Sequence, residues 1–168
     1  MHLFSKKTYN ITYASMSKVG NKKNNEDYIA VSSDGKEGCF VLADGLGGHG
    51  GGEVASRLVC ENAMKSYCEN NFSDIREYLK KSFDIAQEKL LDKQKEERML
   101  DAMKTTMIIA VIHDSCLQWA HIGDSRLYLF KNDKIKTRTL DHSLPQMLVF
   151  AKEIKEKDIR FHPDRNRL

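Results

Sequence analysis

The chain has 168 residues, 40% of them hydrophobic and 30% charged, and its 27 basic and 24 acidic side chains leave a formal net charge of +3. That length suits a single domain, spanning 1–168, with enough chain to bury a core. The charges are interleaved, which marks no nucleic-acid surface, and no apolar run reaches membrane-spanning length or forms a signal-peptide core.

Residues 8–15 alternate as a strand does. A polar, turn-rich stretch follows from Val19 and ends at Asn25-Glu26-Asp27. Tyr28 to Ser32 reads as a second strand, Ser33-Asp34-Gly35 as a hairpin turn, and 38–43 as the returning strand. In an antiparallel hairpin the start of one strand neighbours the end of the next, so Glu26 and Asp27 should stand beside Asp44. Glu53 to Asn70 carries Val54, Ala55, Leu58, Val59, Ala63 and Tyr67 at helical spacing. Ser73 is positioned to cap a second helix with the stripe Ile75, Leu79, Phe83, Ala86 and Leu90. Its mixed charges read as a solvated outer face. Thr105 to Ile112 is β-branched and apolar, a central strand. Cys116 to Ile122, Arg126 to Phe130 and Lys134 to Thr139 continue a meander, interrupted at Gly123-Asp124-Ser125 and turned at Lys131-Asn132-Asp133. Val149 to Ile159 looks like a short charged helix, and His162-Pro163-Asp164-Arg165-Asn166 is irregular. Runs of strands around a helical block fit an α+β sheet sandwich better than an alternating α/β fold. Cys39, Cys60, Cys68 and Cys116 contain no C-x-x-C pair, and they read as reduced core residues of a cytoplasmic protein.

The stretch Asp44 to Glu53 concentrates six of the ten glycines between a buried strand and a helix. There the backbone can come close to a ligand. Gly45-x-Gly47-x-x-Gly50 fits a dinucleotide fingerprint, but Asp44 would repel a phosphate and no β-α-β unit follows. A carboxylate at a strand end beside a glycine loop suits a hard cation, with a glycine carbonyl as a further oxygen ligand. The commoner use of Asp-Gly is a plain turn. The choice depends on whether other acids meet Asp44 in space.

Six segments in order carry a resemblance. They are Asn25-Glu26-Asp27, Asp44-Gly45-Leu46-Gly47-Gly48-His49 with Gly52-Glu53-Val54-Ala55-Ser56, Thr105-Thr106, Gly123-Asp124-Ser125-Arg126, Asp141-His142-Ser143, and His162-Pro163-x-Arg165-Asn166. Together they resemble the bacterial form of the protein phosphatase 2C family, the metal-dependent serine/threonine phosphatases. The resemblance implies two packed antiparallel β-sheets flanked by helices, and a metal centre at one rim of the sandwich. By position, Glu26 and Asp44 resemble metal ligands, Gly45 offers its carbonyl, and Asp124 resembles the ligand of a third, weaker metal. Asp27 resembles a residue that holds metal-bound water. His49 sits in the family's usual loop spelling and stands with Asp27 and Lys22 among the candidate catalytic residues, although a lone loop histidine is more often a hydrogen-bonding or exposed residue. His121 and His142 read as structural, and Asp141 as the holder of a turn through backbone hydrogen bonds. The implied cofactor is Mg²⁺ or Mn²⁺, two or three ions in a complete domain, because such ions prefer carboxylate, carbonyl and water oxygens. The implied reaction is direct hydrolysis of a phosphomonoester on a serine/threonine phosphoprotein, with the cognate kinase as a further partner.

Three departures bear on this reading. The family's phosphate-clamping Arg, four residues before the motif Glu, is Lys22 here, which keeps the charge and loses the bidentate fork. The Gly before the Thr-Thr pair is Lys104. The family's C-terminal segment brings two further metal-ligating aspartates, and after residue 144 only Asp158 and Asp164 remain, in other contexts. Two expectations follow: weak or absent activity, with the sheets and the metal site incomplete, or a pseudophosphatase that binds a phosphoprotein or kinase without hydrolysis. Open strand edges should also favour self-association.

Overall fold

The computed structural model describes residues 9–46, 50–69, 74–99 and 102–168. Four strands form one antiparallel sheet in sequence order: β1 (Asp27–Ser33), β2 (Gly38–Asp44), β3 (Met107–His113) and β4 (Cys116–Ile122). Helices α1 (Gly52–Glu69) and α2 (Ile75–Glu96) connect β2 to β3. A second, two-stranded antiparallel sheet pairs β5 (Tyr128–Lys131) with β6 (Lys134–Arg138). Helix α3 (Leu144–Phe150) and a 3₁₀ turn (Glu156–Phe161) close the chain. The fold is α+β, with antiparallel sheets flanked by helices. Every strand pairing is antiparallel, so no dinucleotide-type β-α-β crossover is present among the described residues.

Strand alternation decides which face carries the helices. In β2, Cys39, Val41 and Ala43 are fully or almost fully buried, and in β3 so are Met107, Ile109 and Val111. They pack against Ala55, Val59, Cys60 and Ala63 of α1 and against Ile75, Tyr78, Leu79, Ala86 and Leu90 of α2. The even-numbered residues Phe40, Leu42, Ile108 and Ala110 line a cleft on the opposite face with Tyr13 and Leu127. The Tyr13 and Phe40 rings meet edge-on at 5.8 Å.

Several sequence expectations change in three dimensions. Residues 9–19 form no strand. They run as a strap in which the Ile11 amide donates to the Gly35 carbonyl and the Tyr9 hydroxyl accepts from the Ser115 amide. Alternation there serves side-chain docking, without a hydrogen-bonded ladder. Ser73 lies outside the described residues, and the cap of α2 is Asp74, whose carboxylate accepts from the Arg76 amide at 2.8 Å. The helix expected at 149–159 begins earlier, at Leu144, where Ser143 caps it and Pro145 occupies its first turn. Only a 3₁₀ turn occupies the charged stretch. Among the cysteines, Cys39 and Cys60 are core residues, and burial pushes their thiols up to about 11 and about 12. Cys68 and Cys116 are exposed, and all four are free thiols. No helix among the described residues is long and apolar enough to cross a membrane.

Candidate functional site

The site is built at the rim where β1 begins and β2 ends. The β1–β2 register sets Asp27 directly opposite Asp44, and the ladder continues past it with the Gly45 amide donating to the Glu26 carbonyl at 2.9 Å. Glu26, Asp27 and Asp44 are thus held at one rim by backbone hydrogen bonds. β3 fixes the position from the other side. The Thr106 amide donates to the Asp44 carbonyl, and the Asp44 amide donates to the Thr106 hydroxyl. That hydroxyl also lies 2.7 Å from the Ser125 hydroxyl, and Thr106 is almost fully buried. It joins the ends of β2 and β3 to the loop that carries Asp124.

The two described ends of the glycine stretch, Gly45 and Gly52, meet at the same rim. A Cβ on Gly45 would come within 2.2 Å of the Gly52 carbonyl oxygen, so only glycine lets α1 start this close to the end of β2. Gly123 has a positive φ of 100°, and a Cβ there would strike the Thr106 side chain at 2.5 Å. The His142 ring holds the Gly123 amide and stacks on His121 with centroids 4.6 Å apart, while His121 Nε2 sits 2.9 Å from the Leu140 carbonyl. Both histidines brace the loop structurally. Among the described residues, no backbone amide donates to the Asp141 side chain, expected from sequence to hold a turn in that way. It is buried and receives Arg126 in a bidentate ion pair, with both contacts at 2.6 Å. The guanidinium supplies a stronger, two-pronged donor set than a single amide could.

These pieces enclose a cleft of about 780 Å³ lined by Lys22, Lys23, Asn24, Glu26, Asp44, Gly45, Leu46, Thr106, Asp124, Asn166 and Leu168. Its electrostatics are unbalanced. Burial, the charge of Asp27 and a hydrogen bond to Asp27 push the Asp44 carboxyl up to about 6, with Lys22 opposing and Asp124 adding to the rise. Lys22 Nζ lies 3.0 Å from Glu26 Oε2. That hydrogen bond and the charge of Glu26 raise the lysine above its usual value. The donor set is carboxylate and carbonyl oxygen, with no cysteine or histidine among the described lining residues. It matches a hard divalent cation, and the raised Asp44 marks negative charge that such a cation would relieve. Glu26, Asp44, Asp124 and the Gly45 carbonyl could hold it.

Of the sequence candidates, Lys22, Glu26, Asp44, Gly45 and Asp124 line this cleft, and Asp27 borders it through Asp44. His49 lies outside the described residues. The acids are gathered without being drawn tight. Among the described residues, the one trio of His, Cys, Asp or Glu whose ligating atoms all come within 4.8 Å of one another is Glu37, His113 and Asp114, at the far end of the strands. Asp158 accepts from the Lys155 amide and Asp164 lies beside His162, so neither joins the lining. Asn166 does. The Leu144 amide donates to the Arg167 carbonyl and carries the chain end back to the rim. The sequence places Asn166 inside a motif without assigning it a position in the site. Thr106 shows in sequence only as half of a Thr-Thr pair.

A helix-flanked antiparallel fold with an oxygen-lined, negatively charged cleft at one sheet rim defines the class to which this domain belongs. Within that class, the chain belongs to the protein phosphatase 2C family, whose sequence model matches residues 16–144. It is 32% identical over 150 residues to the serine/threonine phosphatase stp of Listeria innocua, covering 86% of this chain and 60% of that protein. The crystal structure of the serine/threonine phosphatase Stp1 from Staphylococcus aureus superposes with a TM-score of 0.83 at 26% identity, covering 98% of this chain and 68% of that one. The catalytic domain of the serine threonine protein phosphatase PstP, solved in complex with 2 manganese ions, matches with a TM-score of 0.71 at 30% identity, covering 82% of this chain and 58% of that one. The chain spans about 60% of the length of the curated relatives it matches.

Proposed function

We propose that this chain carries the N-terminal part of a metal-dependent serine/threonine phosphoprotein phosphatase centre. The observation that supports it most is the raised carboxyl of Asp44, set among acids from separate chain segments in one oxygen-lined cleft. Glu26, Asp44, Asp124 and the Gly45 carbonyl would hold Mg²⁺ or Mn²⁺. Bound there, divalent cations would supply Lewis acidity: a lowered pKa for water and charge neutralisation for the phosphate. Asp27 would orient the attacking water through hydrogen bonding, and Lys22 would meet a phosphate oxygen as a point charge. His49 is a candidate proton donor to the departing serine or threonine oxygen. The substrate class is a phosphomonoester on a phosphoprotein, and the cognate kinase is the natural partner. The four free thiols fit a reducing, cytoplasmic setting. The open edges β1 and β4 are routes to self-association, which light scattering would detect as a dimer or larger species.

The test is phosphate release from a phosphoserine peptide with Mn²⁺ added. Weak release that needs Mn²⁺ and is lost in Asp44→Asn is the expected result. Release that persists without metal or in Asp44→Asn would remove this reading. A second reading, a pseudophosphatase that binds phosphoprotein without hydrolysis, draws on Lys22 and on the loosely gathered acids. It expects tight phosphopeptide binding and no phosphate release.

A further inference from the structure

Lys22 is the cleft cation held against one of the acids. Its ammonium sits 3.0 Å from Glu26 Oε2, yet the two partners are unequally anchored: the Lys22 side chain is 62% exposed and that of Glu26 only 14%. Glu26 is further fixed through its carbonyl, which accepts the Gly45 amide at 2.9 Å. The lysine is the partner free to move. Its four-carbon stem ends in a compact charge that can pivot between acceptors without loss of geometry, as a planar guanidinium fork cannot. Asp44 and Asp27 also attract it into the cleft.

We infer that Lys22 is a resident counter-ion that occupies Glu26 in the metal-free protein, is displaced when a divalent cation takes that carboxylate, and then turns to the phosphate. This rests on reading the cleft as a divalent-cation and phosphate site. The physical basis is competition for one oxygen. A cation approaching Glu26 meets the repulsion of an ammonium already at hydrogen-bond distance, so Lys22 lowers cation affinity while it remains there. A phosphate that draws Lys22 away removes that repulsion. Linkage makes the effect reciprocal: phosphate raises cation affinity by the factor by which the cation raises phosphate affinity. Lys23 also lines the cleft, so Lys22 is not its only positive charge. The Lys22–Glu26 pair is solvent-screened, which keeps the effect modest.

The experiment titrates the full chain with Mn²⁺ at low ionic strength, following free Mn²⁺ by electron paramagnetic resonance, with and without inorganic phosphate, for wild type, Lys22→Met and Lys22→Arg. Lys22→Met should bind Mn²⁺ about three- to tenfold tighter than wild type without phosphate, a gap that shrinks as salt is added. Phosphate should raise Mn²⁺ affinity more in wild type than in Lys22→Met. Lys22→Arg, which retains the charge, should stay near wild type without phosphate. Mn²⁺ bound equally tightly or more weakly by Lys22→Met would overturn the role of Lys22 alone. Mn²⁺ bound by none of the three would overturn the cation reading of the cleft, and this inference with it.

Discussion

The two ends of the four-stranded sheet carry similar residues and treat them differently. At the turn end, Glu37 from the β1–β2 hairpin meets His113 and Asp114 from the β3–β4 hairpin. Glu37 Oε2 lies 2.9 Å from His113 Nδ1, and its Oε1 accepts the Asp114 amide at 3.3 Å. Each side chain there has a partner supplied by the hairpins themselves. At the rim end, Glu26, Asp27, Asp44 and Asp124 gather with one lysine tied to one of them, and the carboxyl of Asp44 is pushed up to about 6. Proximity of acids alone therefore does not mark the site. The turn end packs its ligand atoms more tightly, each beside a partner, whereas the rim end is looser and desolvates Asp44 next to further acids.

This contrast can be broken or sharpened by substitution. The largest effect should come from glycines that look alike in sequence. Gly45→Ala drives a Cβ into the Gly52 carbonyl and should cost about 3 kcal/mol or more in urea denaturation. Gly35→Ala, at the turn end, meets nothing within 4 Å and only bears a φ of 88°, so it should cost about 1–2 kcal/mol. Equal costs would show that Gly45 and the start of α1 do not approach as described.

Asp44→Asn should weaken Mn²⁺ binding by about 100-fold or more, while Asp114→Asn should leave it unchanged within about twofold. The reverse pattern, read by calorimetry, would move the cation to the other end of the sheet. Thr106→Val strands the Asp44 amide and the Ser125 hydroxyl, and should cost about 1–3 kcal/mol where Thr105→Val costs less.

The pH dependence follows from Asp44. Its folded value, about 6, lies above the ordinary 3.8, so between those values the folded protein holds more proton than the unfolded chain. Stability of the metal-free protein should therefore fall as pH rises through that window. Melting temperatures in the presence of chelator should fall less in Asp44→Asn than in wild type from pH 4 to pH 7, and Mn²⁺ should restore wild type at pH 7. The smallest effect belongs to the turn end. Glu37→Gln breaks an exposed pair with His113 and should shift stability by less than about 1 kcal/mol.

Much of the local architecture is legible in the chain. The stripe from Val54 to Tyr67 marks α1, and Ser33-Asp34-Gly35 between apolar runs gives the hairpin whose register brings Asp27 to Asp44. The family relation was likewise readable from six short segments. The strap at 9–19 misleads because alternation records which side chains dock and is silent on whether a ladder forms. Helix α3 is misplaced because its charged C-terminal flank resembles a helix more than its Ser143-Leu144-Pro145 start does.

Local hydrogen bonding and side-chain period are properties of neighbours in the chain, so composition and spacing alone determined strands β1 to β6, the long helices and the rim hairpin. The tertiary structure decided what no neighbour could. Thr106 ties Asp44 to the Asp124 loop, Arg126 claims Asp141, and the returning C-terminus brings Asn166 to the cleft. It also decided that Asp44 carries a raised carboxyl, because desolvation and neighbouring charge depend on everything that folds around a group, at any distance along the sequence.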